Sequence, residues 1–155
     1  MSFLWMRGAR AQVPDVCRLT DMYHSLHEDD AVIYSIVDLF PQGFSVLTDG
    51  VKILGYGLAH PWVMVPPLLN VSRPRLSPDA SVMFIHDVVV DVSARGHKYA
   101  YAYLDLMKSE ARMRGLKRMG LVAVYSTHRY WSRYGFVYDS HGMYGTSSIY
   151  MTLDL

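Results

Sequence analysis

Residues 84–104, FIHDVVVDVSARGHKYAYAYL, decide the fold. Residues 83 to 85 and 88 to 90 are apolar in unbroken runs, as expected for a strand from Ser81 to Val90 that is covered on both faces. A short polar turn follows and opens a helix through Arg95-Gly96-His97-Lys98. A strand that feeds a helix N-terminus this way leaves several backbone N–H groups unpaired and pointing outward. The positive end of the helix dipole adds to their pull on an anion, so the turn is suited to a phosphate or pyrophosphate.

The rest of the chain arranges itself around this unit. Phe3 to Met6 reads as a first strand. Pro14 and Asp15 start a helix on which Val16, Leu19, Met22, Tyr23 and Leu26 recur at helical spacing. The acidic run Glu28-Asp29-Asp30 breaks it, and a second helix covers Ala31 to Leu39. Two strands, Phe44 to Leu47 and Ile53 to Ala59, flank the hairpin signal Asp49-Gly50. Residues 61 to 78 carry five prolines and two arginines, the composition of a long, mobile loop. Tyr99 to Arg114 is a helix with Leu104, Met107 and Ala111 on one face and Gly115 as its stop. Met119 to Tyr125 is a buried strand, His128 to Tyr134 a short helix, and Phe136 to Tyr138 and Ile149 to Leu153 begin the last two strands. The predicted order is β-α-α-β-β-β-α-β-α-β-β in a single domain over residues 1–155, without internal repeats.

Composition narrows the function. A chain of 155 residues buries about two-thirds of its unfolded surface, and 51% hydrophobic with 19% charged residues suits a compact protein. A net charge of +1 gives no electrostatic case for nucleic acid. The single Cys17 excludes an internal disulfide and a cysteine-based metal site, so no metal is expected. No apolar run reaches membrane-spanning length, and a soluble cytoplasmic monomer or homodimer is expected. The turn lacks the glycines of a dinucleotide fingerprint and the Gly-Lys-Ser/Thr of a P-loop.

Two motifs carry a family resemblance. VVVDVSARGHKYAYAYL resembles the pyrophosphate loop of the GNAT acyl-CoA-dependent N-acyltransferases with its preceding strand, and YWSRYGF (Tyr130 to Phe136) is similar to that family's aromatic-x-x-x-Gly-Phe segment. The resemblance spans nearly the whole chain. It implies an α/β fold with a mixed, mostly antiparallel sheet of about six or seven strands, splayed at its centre and flanked by about four helices. It also implies transfer of an acetyl group from acetyl-CoA to a primary amine of a small molecule or peptide terminus, directly in a ternary complex. Val88, Val89, Val90, Arg95, Gly96, His97, Lys98, Tyr99 and Ala100 would hold acetyl-CoA. The amides of Val88 and Val90 would pair with the pantetheine arm, and those of residues 95 to 100 with the pyrophosphate. Lys98 stands where the family's loop has glycine.

The chemistry needs a neutral amine, a polarised thioester and a proton for the departing thiolate. His86 is the candidate proton relay, and strand alternation places it on one face with Val88 and Val90, Asp87 facing the other way unless a bulge intervenes. The tyrosine usual four residues before the glycine of the Gly-Phe pair is here Trp131, which has no titratable proton. Tyr130 and Tyr134 are the candidate replacements. Trp62, Tyr125 and Tyr144 are candidate acceptor-pocket residues, with His60, His141 and Tyr150 nearby. The acidic run 28–30 is expected near the acceptor end, as a solvated loop. With Lys98 and Trp131 in those positions, a non-catalytic acyl-CoA sensor that kept the fold is the alternative.

Overall fold

In the computed structural model, which describes residues 2–142, 144 and 147–155, seven strands form one sheet. In chain order the elements are β1 (Leu4–Arg7), α1 (Val13–Tyr23), α2 (Asp30–Leu39), β2 (Ser45–Thr48), β3 (Ile53–Trp62), β4 (Val82–Val90), α3 (Tyr99–Met113), β5 (Arg118–Ala123), α4 (His128–Tyr134), β6 (Val137–His141) and β7 (Ile149–Asp154). The spatial order is β1-β2-β3-β4-β5-β7-β6, antiparallel throughout except for the β4–β5 pair. This is the predicted element order, with seven strands and four helices.

Apolar patterning assigns the helices to opposite faces. Val13, Val16 and Leu19 of α1 and Val32, Ile33, Ile36 and Val37 of α2 bury against Val46, Tyr56, Leu58 and Val89. On the other face Tyr103, Leu104, Met107 and Ala111 of α3 pack on Met83, Ile85, Met119 and Leu121. The first helix stops at Tyr23, earlier than its apolar spacing implies: Met22 is exposed, and Leu26 belongs to the segment beyond the helix. β3 runs on through Pro61, where β2 no longer pairs with it and the sheet tolerates a residue without an N–H.

Two irregularities in β4 shape everything beside it. Its parallel pairing with β5 covers only Val82–Ile85 against Arg118–Leu121, and beyond Ile85 the two strands part. Opposite the consecutive pair Leu58 and Ala59 of β3, β4 presents Asp87 and Ile85, so His86 is the extra residue of a β-bulge. The bulge shifts the alternation. Val88 packs towards the α3 face and Val89 towards α1 and α2, while His86 and Asp87 both reach the segment between α1 and α2. The regular alternation expected for His86, Val88 and Val90 is therefore interrupted at His86.

Among the described residues no helix is long and apolar enough to cross a membrane. The α3 face depends on Tyr103, fully buried, whose hydroxyl donates to the Gly43 carbonyl at 2.7 Å and whose ring covers Gly57. A β-carbon on Gly57 would stand 2.3 Å from that ring. Gly57→Ala is expected to destabilise the protein by about 1–3 kcal/mol, the usual cost of overfilling a packed core, read as a lower denaturant midpoint at unchanged slope.

Candidate active site

The parting of β4 from β5 opens a cleft lined by His24, Leu26, Glu28, Leu69, residues 85 to 88, Leu121, Val122, Val124, Tyr125, Thr127, Trp131 and Tyr144. On its β4 side, the Asp91 N–H donates to the Leu54 carbonyl at 2.7 Å and so faces β3. Antiparallel alternation then turns the backbone groups of Val88 and Val90 to the open side, where β5 has left. The strand continues into the turn, which Asp91 ties by accepting from Ser93 N and, at 2.5 Å, from the Tyr23 hydroxyl.

The amides of Gly96 through Tyr101 find no acceptor among the described residues; the first closed bond of α3 joins Ala102 N–H to the Lys98 carbonyl. Six consecutive amides without an acceptor among the described residues, running from the turn into the first helical residues, suit an anion as a cradle. The Arg95 amide is not among them, since it donates to Val92. The Arg95 side chain folds back on Tyr23, its Nε donating to the Val90 carbonyl at 2.9 Å. Gly96 takes φ +88, open to glycine at little cost. Lys98 takes φ +58, a left-handed conformation in the place where the family resemblance implies glycine. Holding a lysine there costs on the order of 1 kcal/mol.

Two hydrogen-bonded chains meet at the bulge. In the first, Thr20 Oγ1 bonds Tyr56 Oη at 2.8 Å, the Tyr56 hydroxyl donates to Asp87 Oδ2 at 2.5 Å, and His24 Nε2 lies 2.7 Å from the same oxygen. A carboxylate accepting from Nε2–H leaves the lone pair of a neutral His24 on Nδ1. Burial pushes the His24 pKa down, but the hydrogen bond and charge of Asp87 outweigh it, and the net shift is upward. In the second chain, His86 Nε2 lies 2.6 Å from Glu28 Oε1 and His86 Nδ1 accepts from Arg73 Nη2 at 3.3 Å. Burial raises the Glu28 pKa, yet its bonds from His86 and the Asn70 amide hold it below the usual carboxylate value. Glu28 is thus part of the cleft wall, while Asp29 and Asp30 are exposed as expected for a solvated run.

Tyr125 closes the cleft from the β5 side. Its hydroxyl oxygen accepts from the amides of Ser25 and Leu26, each at 3.1 Å, and its ring stacks on His24. It reaches them because Tyr125 and Ser126 both take left-handed φ values, +54 and +59. Trp131 lines the cleft, with Nε1 donating to Thr127 Oγ1. Tyr130 and Tyr134 do not line it. Tyr130 packs between Tyr101 and Trp131, and the Tyr134 hydroxyl donates to Asp105 on α3 at 2.6 Å. Tyr144 is a cleft residue fastened through its hydroxyl to the Pro67 carbonyl, whereas Trp62 stacks edge-on with the buried His60 outside the cleft. Burial pushes His60 down to about 3, so it is neutral. Cys17 lies outside the cleft, its thiol pushed up to about 12 by burial and then by Asp30.

The acetyltransferase (GNAT) family model matches residues 13–136, from the first residue of α1 through the Gly-Phe pair after α4. The chain belongs to the acetyltransferase (GNAT) family. Its fold is shared by solved GNAT-like structures at low identity. Ard1 from Thermoplasma volcanium superposes with a TM-score of 0.79 at 15% identity, covering 100% of this chain and 99% of that one. A chain of the NatC complex bound to Gag peptide and CoA gives 0.80 at 13% identity, with coverage of 100% and 99%. N-acetylglutamate synthase from Neisseria gonorrhoeae, complexed with coenzyme A and N-acetyl-glutamate, gives 0.72 at 15%, covering 100% of this chain and 35% of that one. No curated protein sequence matches this chain.

Sequence reasoning missed His24 and Arg73. Neither lies in a motif; His24 follows a helix end, and Arg73 sits in a proline-rich stretch. The cradle itself generates a two-part prediction. Lys98→Gly should raise stability by about 0.5–1 kcal/mol, because relief of the left-handed lysine exceeds the entropy glycine loses. Gly96→Pro, whose φ near −65° is incompatible with +88, should weaken acyl-CoA binding at least tenfold by calorimetry.

Proposed function

We propose that this GNAT protein transfers an acetyl group from acetyl-CoA to a primary amine of a small molecule or peptide terminus, directly within a ternary complex. The observation that carries this reading is the open edge of β4 at Val88 and the Val90 amide, followed after the tied turn 91–95 by the amides of residues 96 to 101, which meet no acceptor among the described residues. An extended pantetheine arm has the donor and acceptor spacing to complete that edge, and a pyrophosphate the charge to occupy the cradle. The two solved relatives described above with coenzyme A bound share this fold, which supports the donor assignment.

The thioester end of such a donor would lie in the parting of β4 and β5, beside His24, Glu28 and Tyr125. His24, oriented by Asp87, is the base of this scheme: Nδ1 takes the proton of the acceptor ammonium, freeing its lone pair to attack the thioester carbonyl. A C–N bond forms, the C–S bond breaks, the thiolate takes a proton from Tyr125, and the second proton shed by the new amide nitrogen returns the Tyr125 phenolate to its hydroxyl. That hydroxyl accepts two backbone N–H bonds, so its own hydrogen is not spent on the protein. Tyr130 and Tyr134 serve as packing between α3 and α4 in this scheme, and Tyr144 as acceptor-pocket wall. A cysteine route is disfavoured by the raised pKa and position of Cys17.

Titration calorimetry with acetyl-CoA and a thiol-release assay over an amine panel test the reading together. Binding with amine-dependent thiol release is expected. Binding without release by any amine would favour a non-catalytic acyl-CoA sensor, the reading that Trp131 in the usual tyrosine position supports; no binding at ~100 µM would remove both. The pH profile tests the base. A raised imidazole pKa keeps His24 protonated, hence unable to act, until the pH passes above the ordinary value of about 6.5. Activity should therefore rise through a limb centred above that value. In Asp87→Asn the larger raising influences are gone while burial remains, so the limb should move to lower pH while kcat falls about tenfold or more.

A further inference from the structure

The second chain at the bulge has a polarity that packing alone does not require. Arg73 is 4% exposed, and among the described residues no carboxylate lies within ion-pair distance of its guanidinium; instead Nη2 donates to His86 Nδ1 and Nη1 to the Val71 carbonyl. His86, with a side chain 3% exposed, can accept on Nδ1 only in its neutral form, so its one proton is on Nε2 and is given to Glu28 Oε1. An imidazolium would turn N–H towards a guanidinium. Glu28 Oε2 accepts from the Asn70 amide at 2.9 Å, and Asn70 Oδ1 in turn accepts from the Asp29 amide at 2.7 Å. This clasp joins the segment after α1 to the proline-rich segment. Glu28 lines the cleft and Arg73 does not. The chain thus runs from a buried cation, through a neutral ring of fixed tautomer, to a carboxylate at the cleft wall.

We propose that Arg73 and His86 are positioning residues that hold the Glu28 carboxylate in the cleft as the anchor for the ammonium group of the acceptor. The proposal rests on the amine-acetylating reading above and adds to it the recognition of the acceptor as a cation. Each Glu28 oxygen accepts one protein bond and retains a lone pair for the ligand. His86 takes no proton from the substrate in this arrangement, because both ring nitrogens are engaged. The neighbouring walls, Leu26, Leu69, Val122 and Val124, are apolar, so the carboxylates an ammonium meets in the lining are Glu28 and the Asp87 of the His24–Asp87 pair.

Nitrogen NMR of histidine-labelled protein tests the tautomer without any reaction. An unprotonated Nδ1 and protonated Nε2 on His86 at neutral pH, with the preference lost in Arg73→Met, are expected; a protonated Nδ1 in the unchanged protein overturns the proposal. Kinetics test the anchor. Glu28→Gln and His86→Leu should each raise the acceptor KM about tenfold or more while the acyl-CoA Kd stays within about twofold, which also reports that the variants fold. His86→Gln, whose amide can accept from Arg73 and donate to Glu28, should recover most of the acceptor affinity that His86→Leu loses. If His86→Gln instead keeps KM and loses kcat as fully as His86→Leu, His86 moves the proton itself and the proposal fails. Thiol release with an unchanged acceptor KM in Glu28→Gln overturns the anchor alone, whereas wild-type protein that releases no thiol with any amine overturns the enzymatic reading with it.

Discussion

One extra residue in β4 organises the site. A regular strand would send His86 and Asp87 to opposite faces, one towards α3 and the other towards α1 and α2. The bulge opposite Leu58 and Ala59 lets both reach the segment that links α1 to α2, and each meets a partner there, Glu28 and His24. The helix end at Tyr23 belongs to the same arrangement. Were α1 to continue through Leu26, His24 would be locked into a helical turn, whereas it is extended, with its amide closing the helix on Thr20. The sheet, helix end and polar network therefore form one unit, in which shifting the β4 register would cost every contact at once.

The same strand also supplies the binding edge. From His86 onward β4 has β3 on one side and nothing of the sheet on the other, so the backbone groups of Val88 and the amide of Val90 stay available, the Val90 carbonyl being taken by Arg95 Nε. Available backbone polar groups are a liability in an apolar groove unless a ligand meets them. The turn continues that economy of pairing: Asp91 and Tyr23 tie its beginning, the Trp5 indole N–H donates to the Tyr99 carbonyl at its end, and the amides between face outward. Lys98 keeps the left-handed backbone that the loop needs although its side chain disfavours it. The cradle is thus set by main-chain geometry and not by the residue type at that position.

Much of this was legible in the sequence because it depends on local signals. Apolar runs, Asp49-Gly50, Gly115 and the Arg95-Gly96 turn each act within a few residues, and they returned the element order and the turn that opens α3. What stayed hidden acts at long range. A bulge at His86 follows from how Leu58 and Ala59 register against β4, which no alternation pattern within 82–90 reports. Arg73 reads as part of a mobile loop by composition, yet its segment is clasped through Asn70 and its guanidinium is buried against a histidine thirteen positions away. Tyr130 and Tyr134 were the natural tyrosines beside Trp131, but helical geometry turns them onto α3 and leaves Trp131 in the cleft. Tyr125, from the end of β5, reaches the cleft only through two consecutive left-handed residues.

The two carboxylate–histidine pairs at the bulge look redundant and are physically opposite. Asp87 receives a hydroxyl from the buried Tyr56 and an N–H from His24, and among the described residues no hydrogen bond holds the far nitrogen of that ring, so the carboxylate's charge is felt by the imidazole and favours its protonated form. Glu28 faces an imidazole whose far nitrogen is already held by a guanidinium, so protonating that ring would place two cations together. The first ring therefore has its far nitrogen open, while both nitrogens of the second are engaged. Two consecutive residues of β4, Asp87 and His86, thus bring a proton mover, His24, and a held carboxylate, Glu28, to one cleft, and on the proposed reading these hold an amine as a cation and let it attack as a neutral base.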